Sequence, residues 1–98
     1  MAFPSGTVRV TADGVVGTSG KPIRLWTVSL ISGAGGASTL ILRNGTVVGD
    51  TAYEQIDGSA ASKATTKTYE GGLLFPAGLY ADVDANVGYA TFAISVEA

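Results

Sequence analysis

The chain has 98 residues, 46% of them hydrophobic and 14% charged, with a formal net charge of −2. It contains no cysteine and no histidine, which excludes disulfide staples, thiolate zinc sites and any hydrolytic or proton-shuttling chemistry that runs through imidazole. Its six basic residues, Arg9, Lys21, Arg24, Arg43, Lys63 and Lys67, are dispersed; nucleic-acid backbone is bound by a basic stripe, so no nucleic-acid partner is expected.

A chain of this length fits one domain, residues 1–98, with 1–6 read as an N-terminal arm in which Pro4 cannot donate to a sheet. The arm lacks a basic segment followed by an apolar one and so does not read as a signal peptide, and no apolar run approaches the ~20 residues that span a membrane. Synthesis in the cytoplasm of the producing cell and no membrane partner are expected. Thr7–Thr11 alternates, with Val8 and Val10 inward and Arg9 outward, as in a half-buried antiparallel strand. Asp13-Gly14 turns the chain, and Val15-Val16 reads as a brief strand before the turn-forming run from Gly17 to Pro22.

Ile23–Ser32 is the longest β-run of the first half. Strict alternation sends Trp26, Val28 and Leu30 one way and Ile23, Leu25 and Ile31 the other, which reads the single tryptophan as a core residue, the alternative being a ligand-stacking platform if it is exposed. Gly33-Ala34-Gly35-Gly36-Ala37 follows. A strand comes after it rather than the helix a phosphate loop needs, so it reads as a flexible connection. The run Thr39–Val48 contains Asn44-Gly45, a strong signal for a two-residue type I′ hairpin. That turn would set Arg43 against Thr46, Leu42 against Val47 and Ile41 against Val48, with Leu40, Leu42 and Val47 on one buried face. The returning strand would continue to Ile56 with a bulge at Gly49.

Asp57-Gly58 is a further turn, and Ser59–Thr68 carries the weakest structural signal of the chain. Tyr69–Phe75 reads as a strand weakened by Gly71-Gly72, Phe75-Pro76-Ala77-Gly78 as a type I turn, and Leu79–Asp84 and Val87–Val96 as the last two strands. The fold class is therefore all-β: an antiparallel β-sandwich of seven to eight strands, jelly-roll-like or Ig-like.

Few residues suggest chemistry. Asp82, Asp84 and Asn86 have the alternate spacing of calcium loops, but Val87 stands at the expected glycine and Ala93 at the expected bidentate glutamate. A solvated strand end explains them, and no metal or cofactor is expected. The pair Asp82/Asp84 would lie roughly 6.6 Å apart along a strand, without a cleft or a sequence reason for a raised pKa, so no catalytic residue is assigned and the chain does not read as an enzyme. Tyr80 and Tyr89 would form an exposed aromatic pair if their strands were neighbours, suited to a protein interface or a glycan. Ile23, Leu25, Ile31, Ile41 and Val48 fall outside the main alternation and suggest a second apolar face, hence a homo-oligomer.

The order of these parts, with a Val-Arg-Val first strand, the Thr39–Thr46 segment TLILRNGT and above all FPAGLYADVD from Phe75 to Asp84, resembles small structural proteins of tailed bacteriophages, including marine and cyanobacterial ones. The resemblance implies a β-sandwich of the virion, placed on the head surface as a decoration (cement) protein, commonly a trimer, with the major capsid protein as its partner. The alternative it leaves is a tail or fibre module that recognises a host-surface glycan or protein. On that basis the candidate interface residues are Phe3 and Pro4 in the arm, Gly33, Gly35 and Gly36 in the glycine-rich loop, and the face of Tyr80 and Tyr89.

Overall fold

The computed structural model describes residues 6–33, 35–58 and 63–97; Phe3 and Pro4 lie outside them. Eight strands follow one another: β1 (Gly6–Val10), β2 (Gly14–Val16), β3 (Ile23–Ser32), β4 (Ser38–Asn44), β5 (Thr51–Gly58), β6 (Ala64–Phe75), β7 (Leu79–Val83) and β8 (Val87–Val96). They build two four-stranded sheets, in the orders β1-β8-β3-β6 and β2-β7-β4-β5, with every pair antiparallel. Each connection crosses from one sheet to the other except that between β4 and β5. This interleaving of first with last strand is the jelly-roll order, and it separates the two sandwich topologies that strand count alone leaves open.

The core is where the alternating apolar residues of both sheets meet: Leu25, Val28, Leu30 and Phe92 from one sheet and Leu40, Leu42, Leu79 and Ala81 from the other are fully buried. Val8 and Val10 face this core from the edge strand β1 and are only partly covered.

Strict alternation fails on β3. Leu25 pairs with Ile94 and Thr27 with Ala93, so Trp26 is an extra residue against β8. On the other side Leu25 pairs with Leu73 and Thr27 with Thr68, which makes Tyr69–Gly72 an extra four-residue loop against the same point. A bulge reverses the side to which later residues point. Ile23 and Leu25 therefore join Val28 and Leu30 in the core, and Trp26 turns outward, half-buried. Its indole N–H donates to the Ser95 hydroxyl at 3.1 Å, and the loop lies against it, since a Cβ on Gly72 would collide with the Arg24 chain and touch the indole at 3.6 Å. Gly71 and Gly72 have φ of 77° and 80°, which only glycine adopts cheaply in succession.

The β4–β5 hairpin also departs from the sequence reading. Asn44 pairs with Thr51, so the loop is the six residues Gly45–Asp50 and not a two-residue turn. Leu40 and Leu42 are buried as expected, whereas Val47 is 55% exposed at the loop tip. A register shift beyond Leu42 leaves Tyr53 as the extra residue of β5.

Candidate interface surfaces

At the sandwich end that carries the β3–β4 and β7–β8 connections, the glycine-rich loop is latched rather than free. Gly33 N–H donates to the Asn86 carbonyl at 2.6 Å, and the Asn86 side-chain amide donates to the Ala37 carbonyl at 2.9 Å. Gly35 packs so closely on the Asn86 side chain that a Cβ there would overlap it. Gly36 is partly buried, with φ of 120°. Gly33 and Gly35 thus serve close packing and Gly36 a positive φ, in place of the flexible connection expected of them.

The carboxylates of this region are spent on the fold. Asp84 accepts from the Thr39 and Asn86 backbone N–H groups, both at 2.9 Å, and Asp13 accepts from Val83 N–H at 2.8 Å. Asp82 takes both Nε and Nη2 of Arg43, at 3.1 and 2.9 Å. Among the described residues no group of three acidic ligands converges on one point.

Tyr80 and Tyr89 do not meet. Tyr80 stands on β7 and Tyr89 on β8, which belong to opposite sheets, so the two rings lie on opposite outer faces. Both are partly buried. Tyr89 carries the Arg9 guanidinium over its ring at 3.9 Å, and Tyr80 is flanked in register by Val15 and Arg43. Tyr53 stacks on Phe75 with ring centroids 5.4 Å apart and takes the Asn44 amide on its hydroxyl at 3.1 Å. Tyr89 and Tyr53 thus each have a ring neighbour within the fold, although Tyr53 stays 44% exposed. The proposed second apolar face shrinks as well: the bulge puts Ile23 and Leu25 in the core, Ile31 and Ile41 are partly buried, and of the set only Val48 stands well exposed.

At the other end stand two exposed apolar residues, Val47, which the sequence reading placed on the buried face, and Val48, which it placed on the second apolar face. Val47 and Val48 are each 55% exposed. Their loop is held rigid from within, because the Asp50 carboxylate accepts the N–H groups of Thr46 and Val47 at 2.8 and 3.1 Å, and the Asp50 carbonyl accepts from Arg43 Nη1 at 3.0 Å. The loop is also tied to the β6–β7 turn: Gly45 N–H donates to the Gly78 carbonyl at 2.9 Å, and Asn44 Oδ1 accepts from Ala77 N–H at 2.7 Å.

On the side where β5 and β6 close the sandwich, Lys67 Nζ donates to Glu54 Oε2 at 2.9 Å. This bond, helped by the Gln55 N–H at 3.1 Å, holds the Glu54 carboxyl below its ordinary value of 4.5 against the opposing effect of burial. The Tyr69 hydroxyl is buried beside it, without a well-aligned hydrogen bond among the described residues, and desolvation, then the charge of the nearby Glu54 carboxylate, pushes that phenol well above its usual range. Because the folded Glu54 pKa is depressed, its contribution is present above the unfolded value and is lost as pH falls through the folded one. Glu54→Gln should cost less than ~1 kcal/mol at about pH 7, given a half-exposed lysine partner. The gap to wild type should narrow as pH falls below 4.5 and through the lowered Glu54 value, as checked by a series of urea melts from neutral to acid pH.

No family model, curated protein or solved structure matches this chain. Its own side chains carry the functional reading.

Proposed function

We propose that this protein is a non-enzymatic assembly protein of a tailed-phage particle, a decoration protein that binds the assembled head shell through the major capsid protein and stabilises it as a homo-oligomer. The observation that carries the reading is how the functional groups are used. Carboxylates and aromatic rings that would serve catalysis or sugar stacking are engaged inside the fold, while Val47 and Val48 project from a loop made rigid by Asp50. A preorganised apolar tip suits contact with another protein, because little entropy is lost on docking. No pocket opens among the described residues, which leaves shape and surface as the means of recognition. The jelly-roll order is compatible with this role, as it recurs in capsid proteins, but it hosts lectins and cupins too and does not by itself imply one function.

A cement protein acts by mass action. It binds the closed shell better than free shell subunits, so each bound copy favours the intact particle by RT ln(1 + [L]/Kd), about 2.7 kcal/mol at a hundredfold excess over Kd. Particles stripped of the protein should lose integrity at lower temperature or under osmotic shock, and adding it back should restore them. The double variant Val47→Ser/Val48→Ser should fold normally and bind stripped shells about ten- to thirtyfold more weakly, since each half-exposed valine contributes roughly 1 kcal/mol on burial. Equal robustness with and without the protein, combined with lost adsorption to host cells, would overturn the head assignment in favour of the tail or fibre module.

A further inference from the structure

The four sheet edges are not treated alike. An exposed edge strand invites pairing, and proteins blunt it by shortness, bulges or charge. Strand β2 has three residues. Strand β5 is interrupted at Tyr53, and β6 is broken by the Tyr69–Gly72 loop and carries Lys67, which is tied to Glu54. Strand β1 has none of these devices. Gly6–Val10 pairs with β8 without a register shift, and among the described residues it pairs on that side only. Its one charge, Arg9, lies back over the Tyr89 ring on β8 and does not guard the edge. Its inward residues are also unfinished: Val8 and Val10 pack on the core but stay partly exposed, while their β8 partners Phe92 and Ala90 are fully buried.

We infer that the β1 edge is a docking edge for a second copy of this chain, paired antiparallel through its own β1 about a two-fold axis at Val8. The register follows from the residues. Opposed side chains on an antiparallel pair must share a face, so a two-fold axis has to pass at a residue. An axis at Arg9 pairs only Val8, Arg9 and Val10 within the strand and leaves Gly6 and Thr7 without a strand partner. An axis at Thr7 leaves much of the strand unpaired. With the axis at Val8, the whole strand pairs: Thr7 opposes the partner's Arg9 on the outer face, and Gly6 opposes the partner's Val10 on the inner face. Val8 then meets the partner's Val8 and extends the apolar floor of each sandwich. The two β1-β8-β3-β6 sheets become one of eight strands. This contact is a dimer, where the phage resemblance implies a trimer, and it stands independently of the head-shell proposal. A five-residue edge is a small interface, so association is expected to be weak in solution and favoured where copies are crowded on a surface.

Two sets of variants test it in the full-length chain. The protein has no cysteine, so Val8→Cys introduces a single thiol on the axis. Opposed residues of an antiparallel pair lie about 4.5–5.5 Å apart, within the span of a disulfide. Oxidised Val8→Cys should run as a covalent dimer, whereas Thr66→Cys on the β6 edge should stay monomeric. The second set uses the exposed Thr7 and does not depend on tolerance at Val8. Thr7→Glu creates two symmetric pairs with the partner's Arg9 and should tighten dimerisation about 2- to 30-fold in sedimentation equilibrium, and Thr7→Lys should weaken it by a similar factor. A folded Val8→Cys that stays monomeric on oxidation, Thr7→Glu and Thr7→Lys shifting association alike, or a trimer as the first assembled species would each overturn the β1 pairing.

Discussion

Replacing Gly45 with valine is expected to destabilise the domain by about 2–4 kcal/mol and to lower Tm by roughly 10–25 °C in a thermal melt. A Cβ at this position would run into the Asp50 carboxylate. That carboxylate organises the β4–β5 loop, as it accepts the N–H groups of Thr46 and Val47. Displacing it leaves two donors without their partner, each worth about 0.5–1.5 kcal/mol. Gly45 also has φ of 153°, which a β-branched residue rarely adopts. Its N–H must stay aimed at the Gly78 carbonyl, 2.9 Å away in the β6–β7 turn, so the loop cannot simply swing aside. Asp50→Ala separates this account from a two-residue turn. In the short turn Asp50 would be a distant strand residue and its loss nearly neutral; in the observed loop it should cost about 1–3 kcal/mol.

The comparison shows which parts of the fold local pattern carries. Alternation placed Val8, Val10, Leu40 and Leu42 on the core face, because period two survives wherever a strand is regular. The Asn44-Gly45 dipeptide misled. Its asparagine is engaged by Tyr53 and Ala77, partners 9 and 33 residues away that no local rule can supply, and Asp50 closes the wider loop in its place. The placement of Trp26 was hidden by its neighbours. The fully buried residues of β3 stand at odd positions 23 and 25 and then at even positions 28 and 30, but Trp26 and Ile31 are apolar at the opposite parities and mask this change in the sequence. The consecutive glycines 71 and 72 supply the loop that covers the bulge from β6. The separation of Tyr80 from Tyr89 was not legible. Sequence neighbours β7 and β8 belong to different sheets, and only the closure of β8 against β1 and β3 shows it. The edge inference on β1 likewise needs the other three edges for comparison, and their bulges are tertiary facts.

The largest loss should follow Phe92→Ala. Phe92 sits on β8, the strand held between β1 and β3, where it is paired with Val8 on one side and Val28 on the other, both facing the core. It is fully buried. Truncation removes the ring's transfer energy and leaves a cavity that two hydrogen-bonded neighbours prevent from collapsing, at a cost of about 3–5 kcal/mol. In a domain whose whole stability is expected to be about 5–15 kcal/mol, that removes a large share, and Tm should fall by at least about 15 °C. Trp26→Phe is the informative companion. Were Trp26 the centre of the core, its loss would rival that of Phe92. On the outer face it gives up the bond to Ser95 and part of its cover by the Gly72 loop, which together should cost only about 1 kcal/mol. Denaturant melts that place Trp26→Phe near wild type and Phe92→Ala far below it confirm the parity change on β3. Equal losses would return the tryptophan to the interior and remove the bulge that sends Ile23 and Leu25 into the core.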